Sequence, residues 1–186
     1  MAFEELKRRQ RIRIAEGYLE LLLGFPDKWH LRPENRDRLA RRALQSLHGL
    51  TTTERTRGHV EYLRGQALRV MELYQDAILP LQRAANADPE NLQIHLALGW
   101  CFKRVGRLDL AIQALEEAME FAPEDGIVHY NLACYSSLAG NKPQALQFLS
   151  QAFELDSKYR DLVSDEPDFD PLRGDADFQN LLTVIV

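Results

Sequence analysis

Residues 92–125 read LQIHLALGWCFKRVGRLDLAIQALEEAMEFAPED, and the same pattern recurs 34 residues earlier, from Gly58, and 34 residues later, from Gly126. Aligned on those starts, Gly65, Gly99 and Ala133 share one column, Ala77, Ala111 and Ala145 a second, and Ala84, Ala118 and Ala152 a third. Leu81, Leu115 and Leu149 stand between the last two columns. Pro89 and Pro123 close the first two copies, with Ser157 in place of a third proline. Small residues at recurring helical positions let two helix backbones approach, and a leucine between them fills the remaining space. A period held over three copies predicts a repeat architecture, in which each unit buries its apolar face against the next.

Within the second copy, Leu92, His95, Leu96, Leu98, Gly99 and Phe102 form one helical stripe, and Leu108, Ala111, Ile112, Leu115, Ala118 and Met119 form another. Gly106 separates the two. Gly140 does the same in the third copy, where Pro143 suits the first turn of the next helix. Glu72 holds this place in the first copy, so that turn is expected to be less sharply specified. Each copy therefore predicts a helix hairpin.

His95-x-x-Leu98-Gly99-x-x-Phe102, followed by Ala111-x-x-x-Leu115 and Pro123, closely resembles the tetratricopeptide repeat (TPR) signature. The third copy matches through Leu132, Ala133, Ala145, Leu149 and Ala152. The first keeps Gly65, Leu68, Ala77, Leu81, Ala84 and Pro89 but has Glu61 and Arg64 where an apolar pair is expected. The resemblance implies an all-α, right-handed superhelix with TPR hairpins over residues 58–91, 92–125 and 126–157. An N-terminal helical cap over 1–57 and a C-terminal capping segment over 158–186 flank them.

In stacks of this family the first helix of each hairpin lines the concave face. The resemblance therefore assigns a partner-binding groove to Tyr62, Gln66 and Arg69 of the first copy, Leu96, Trp100, Lys103 and Arg104 of the second, and Tyr130, Asn131 and Cys134 of the third. The aromatic residues would form its floor, and Arg69, Lys103 and Arg104 a basic rim. Such a groove suits a protein segment with an apolar anchor and an acidic group. Of the carboxylate clamp by which some TPR domains grip chaperone C-termini, only Asn131 stands where expected. Tyr62, Gln66, Ala97 and Ile127 replace the rest, so Hsp70 or Hsp90 is not the expected partner.

Before the repeats, residues 2–23 read as a helix with Leu6, Ile14, Tyr18, Leu21 and Leu22 on one side. A loop in which Trp29 packs leads to a second helix from Pro33 to Leu47 or His48, burying Leu39, Ala43, Leu44 and Leu47. With Gly17 in one helix and Ala40 or Ala43 in the other, the pair reads as a degenerate leading hairpin, and residues 51–54 supply a capping-box start for the next helix. After the third copy, Asp175 caps a short final helix. Phe169, Leu172 and Phe178 are expected to cover the apolar side of the last repeat. Asp168, Asp170 and Asp175 do not have the spacing of an EF-hand loop.

The 186 residues are 45% apolar, enough for one soluble unit with a core of its own. No apolar run reaches the length of a membrane-spanning helix, and the N-terminus is charged from Glu4 onward, which predicts a cytoplasmic protein. Cys101 and Cys134 lie in separate copies without CxxC spacing and read as reduced packing residues. His95 and His129 occupy equivalent repeat positions. The remaining histidines form no HxxxH or HExxH pair, and neither a phosphate loop nor G-x-S-x-G is present. No enzyme activity, cofactor or metal site is expected.

The net charge of −5 divides unevenly, with basic residues in excess over 1–57 and acidic ones over 58–186. The basic cluster Lys7, Arg8, Arg9, Arg11 and Arg13 lacks interleaved aromatics, so neither nucleic acid nor membrane is the expected partner. The reading is a non-enzymatic protein-binding adaptor. Its alternatives are a self-assembling homo-oligomeric scaffold, joined through the apolar residues 183–186 or through its oppositely charged ends, and a small TPR chaperone shielding a client.

Overall fold

The structure, a computed structural model, describes residues 2–24, 31–50 and 53–183. The expectations for Trp29, for the first two threonines of 51–54 and for the last three of residues 183–186 lie outside them. Every regular element among the described residues is helical. The chain forms two compact units, Met1–Cys101 and Phe102–Val186.

The first unit contains α1 (Ala2–Leu23), α2 (Pro33–Leu47), α3 (Glu54–Val70) and α4 (Tyr74–Ala87), and α5 (Leu92–Arg104) begins in it. Helices α1 and α2 pack as a hairpin, as do α3 and α4, and α3 lies against both members of the first pair. Their shared core is Ile12, Ala15 and Leu19 of α1, Ala43 and Leu47 of α2, and Val60, Leu63 and Ala67 of α3.

The buried residues of α1 are thus Ile12, Ala15 and Leu19; of the side expected from sequence, Tyr18 and Leu22 pack against this core, while Leu6 and Ile14 are exposed. Helix α1 has apolar residues on more than one side, and those on the Ile12–Ala15–Leu19 side meet α2 and α3. Gly17 plays no part in that crossing, since a Cβ placed on it would meet nothing within 4 Å. The close approach of the repeat columns does occur between α3 and α4, where a Cβ on Gly65 would lie 2.5 Å from Leu81 Cγ.

Two departures from the repeat pattern have structural reasons. Glu61 and Arg64, which stand in place of an apolar pair, bond to each other, and Arg64 Nη2 also donates to the Leu47 carbonyl at 3.0 Å. They fasten α3 to the C-terminal end of α2, where helix carbonyls lack intrahelical partners. From the other side Arg11 donates to the carbonyls of Ser46 (2.8 Å) and His48. Lys7, Arg8 and Arg9 are ion-paired with Glu4 or Glu5, so most of the N-terminal basic cluster is engaged within the first unit.

The turn between α3 and α4 is as tight as the others. Glu72 adopts φ 61°, beside 77° at Gly106 and 74° at Gly140. In all three turns the N–H of the next residue bonds the carbonyl five residues back, Leu73 to Leu68, Arg107 to Phe102 and Asn141 to Ser136, at 2.9–3.0 Å. This is the Schellman closure of a helix C-terminus. The absence of glycine does not loosen the turn but strains it by about 1 kcal/mol or more. The α3 start is capped by Thr53 and Thr56, with the Thr53 N–H donating to Thr56 Oγ1 at 3.1 Å, so the box begins two residues later than 51–54 suggests.

The second unit contains α6 (Leu108–Phe121), α7 (Gly126–Leu138), α8 (Lys142–Leu155) and α9 (Lys158–Leu162), the 3-10 helices Val163–Asp165 and Pro167–Leu172, and α10 (Ala176–Thr183). Helix α7 is its centre, packing against α6, α8 and Pro167–Leu172, and α8 also meets α9 and α10. Asp175 Oδ1 accepts from the amides of Asp177 (2.9 Å) and Phe178 (3.2 Å), capping α10. Lys142 at the start of α8 holds Asp175 and Asp177 at 2.7 and 2.8 Å. Phe169, Leu172 and Phe178 are buried.

Candidate functional site

The groove assignment rests on one register. Tyr62, Leu96 and Tyr130 are equivalent in the three copies, Gln66, Trp100 and Cys134 four residues on, and Arg69, Lys103 and Ser137 three further. These offsets put one residue per turn on one face of each first helix. The two units carry that face differently.

In the first unit Tyr62 is half-buried against the α1–α3 core. Gln66 is buried and accepts from Arg69 Nε at 2.7 Å, so it orients the guanidinium and is not itself a contact surface. Arg69, Leu96 and Trp100 are each partly exposed. Burial pushes the Cys101 thiol up to about 11, against the opposing pull of the Arg69 guanidinium. His59, at the start of this face, meets Glu16 of α1 at 2.6 Å.

In the second unit the corresponding face of α7 is covered. Tyr130 and Cys134 are buried, and the chain's own Pro167–Leu172 packs on α7. Lys103 Nζ lies 2.5 Å from Asp168 Oδ2, with only 12% of each side chain exposed. The same ammonium sits 5.5 Å from the centroid of the Tyr135 ring. Tyr130 stacks on Tyr159 of α9 at 5.1 Å and meets Phe169 edge-on at 5.8 Å. Phe169 in turn contacts Phe178 at 5.7 Å.

Tyr159 can lie over the start of α7 because Gly126 has no side chain: a Cβ there would be 2.5 Å from the ring. Burial, with the nearby Glu166 and Asp168 carboxylates, holds the Cys134 thiol well above its ordinary range, and desolvation raises the Tyr130 phenol likewise. Asn131 donates to the Ile127 carbonyl of its own helix at 2.8 Å, and Arg104 is exposed.

Lys103, Tyr130 and Cys134 lie near one another beneath a segment of the same chain. Phe169 was expected to cover the last repeat, whereas Asp168 and Tyr159 were not assigned to this face from the sequence. The signal for Asp168 was an aspartate directly followed by an aromatic in the tail, complementary to a lysine and a tyrosine on the repeat face. The two repeat histidines serve the turns: His95 Nε2 donates to the Pro89 carbonyl at 2.8 Å and His129 Nε2 to the Pro123 carbonyl at 2.7 Å. Among the described residues no group of three or more His, Cys, Asp or Glu side chains is placed to hold a metal ion. No helix among them is long and apolar enough to cross a membrane.

The tetratricopeptide-repeat family model matches residues 71–133. Among solved structures, the chain is similar to YrrB, described as a TPR protein with an unusual peptide-binding site. The two are 22% identical with a TM-score of 0.56, over 67% of this chain and 61% of YrrB, so the chain spans under two thirds of that protein. It is also similar to MamA AMB-1, 23% identical over 84% of this chain and 93% of that one, TM-score 0.60. MamA from Desulfovibrio magneticus RS-1 is 18% identical over 83% and 96%, TM-score 0.58. No curated protein matches. The match over residues 71–133, together with the strained or glycine-borne turns and the small-residue crossings, shows that the chain contains a tetratricopeptide-repeat region.

Proposed function

We propose that the chain is a non-enzymatic protein–protein interaction adaptor that holds a partner segment against the first-helix face of its repeats. The observation that carries this reading is that the face of α7 already holds a peptide segment, Pro167–Leu172, through an ion pair and an aromatic edge contact. These are the contacts from which binding hot spots are built. YrrB, of similar fold, has a peptide-binding site, which supports the reading by analogy.

In the first unit the binding residues are Tyr62, Arg69, Leu96 and Trp100, with Gln66 setting the Arg69 guanidinium. An apolar anchor packs near Trp100 and an acid meets Arg69. To test this, partners are captured with wild-type protein and with the Trp100→Ala/Arg69→Glu variant. A partner lost by a variant whose circular dichroism and melting match wild type supports the site, and equal retention contradicts it.

Self-assembly is a second reading, favoured by the exposed Phe3 (65%), Leu6 (64%) and Ile14 (42%) of α1. A mass that rises with concentration and falls back to monomer in Leu6→Glu would select it.

A further inference from the structure

The α7 face has the features of a binding site whose occupant is its own chain. Pro167–Leu172 is a 3-10 segment with proline at its first and fifth positions, so regular backbone bonding contributes little to its hold. Side chains fasten it instead. Asp168 meets Lys103 across 65 residues of sequence, and Phe169 meets Tyr130. The fit beneath it is incomplete, because the Tyr130 hydroxyl, on the residue that Phe169 meets, is buried with no hydrogen-bond partner. Native structures leave few such groups, and an occupant that satisfied this one would be held more firmly.

The geometry points to Pro167–Leu172 as an internal ligand of the α7 face. It identifies the cognate partner as a peptide presenting an aspartate directly followed by an aromatic side chain, which displaces the internal segment and brings a hydrogen-bonding group to Tyr130. This rests on the adaptor reading above and names the partner chemistry for the second unit. Lys103 reads the aspartate, Tyr130 reads the aromatic ring, and the internal segment sets a threshold. Apparent affinity is lowered by the fraction of molecules in which the face is closed.

The probe is a fluorescently labelled peptide of residues 165–173, DEPDFDPLR, titrated by anisotropy into the full chain. Asp168→Asn, which weakens the internal competitor, is expected to bind it about tenfold more tightly than wild type. Lys103→Glu, or a peptide with alanine in place of phenylalanine, is expected to abolish binding. Because Asp168→Asn also alters a buried ion pair, native hydrogen exchange on wild type supplies an independent reading. The amides of 166–172 are expected to exchange faster than those of α7, showing that the segment opens without unfolding the repeat.

Equal affinity of the two chains, absence of binding to both, or exchange of 166–172 at the rate of α7 each overturns the inference. A dimer with exchanged segments overturns the partner assignment in favour of a second copy. If the probe fails while Trp100→Ala/Arg69→Glu still loses its captured partner, this inference falls and the adaptor reading stands.

Discussion

The first-helix face of α3 and α5 and that of α7 descend from the same repeat register, yet one leaves Arg69, Leu96 and Trp100 partly exposed and the other lies beneath Pro167–Leu172. The difference in cover does not lie in the cation, which α7 lacks at Ser137 and takes from Lys103 of α5. It comes from the segment that succeeds each copy. The copies before the last lead at once into another hairpin, whereas the third leads into a tail that supplies an acid and an aromatic of its own. The second unit thus holds a segment of its own chain on a repeat face, and on the function proposed above the first would hold a partner's segment in the same way.

Phe169→Ala gives the largest expected effect on this comparison. It removes a fully buried ring between Tyr130 and Phe178 and should destabilise the second unit by about 3–5 kcal/mol, read by denaturant unfolding with a probe in each unit. An equal loss in the first unit would contradict the separation drawn here. Gly126→Ala comes next. Its new Cβ would meet the Tyr159 ring at 2.5 Å, an overpacking cost of about 1–3 kcal/mol, and Tyr159→Ala introduced on top should recover part of it. If Gly126→Ala melts like wild type, the stack of Tyr159 on Tyr130 is misassigned.

Glu72→Gly lies at the small end of the scale. It removes the left-handed strain but also the 2.6 Å ion pair to Arg36 and adds freedom to the unfolded chain. The expected net change is a gain of no more than about 1 kcal/mol, and a clear loss would show that the ion pair outweighs the strain.

The smallest expected effect is one of acidity. The Lys142 ammonium, bonded to Asp175, holds that carboxyl below the usual aspartate range. The folded-state value is the depressed one, so the stabilisation is present above the ordinary aspartate value and is lost as pH falls through the depressed value. Protection of α10 amides should weaken over that acid window in wild type and not in Lys142→Ala. An unchanged window in the variant would remove Lys142 as the cause.

The hairpins, their turns and their small-residue crossings were legible because a column repeated three times records which positions cannot vary in size. The sequence also marked the two departures, Glu61 with Arg64 and Glu72, but not their meaning. Glu61 and Arg64 answer to the end of α2, and Glu72 answers to a backbone angle fixed by the hairpin geometry. Leu6 and Ile14 were misplaced because α1 has apolar residues on more than one side and periodicity alone does not say which of them find neighbours.

The apolar residues of the tail likewise marked Phe169, Leu172 and Phe178 to cover the last repeat, without saying which side chains they would meet. Only tertiary structure shows that Asp168 reaches Lys103 and that Phe169 reaches Tyr130. The candidate residues Lys103, Tyr130 and Cys134 lie together under Pro167–Leu172, a placement the sequence did not announce.

The most direct measurement uses the two thiols already in the chain. Cys134 lies on the covered face of α7 and Cys101 in the first unit, and both are buried and free. Their alkylation rates in native buffer are compared by mass spectrometry in wild type and in Asp168→Asn. In wild type both should be protected. In Asp168→Asn, labelling of Cys134 should rise about tenfold while Cys101 stays unchanged, as expected when only the fraction of open α7 face increases. Rapid labelling of Cys134 in the wild-type protein, or equal protection of both cysteines in the variant, would contradict a repeat face closed by its own chain.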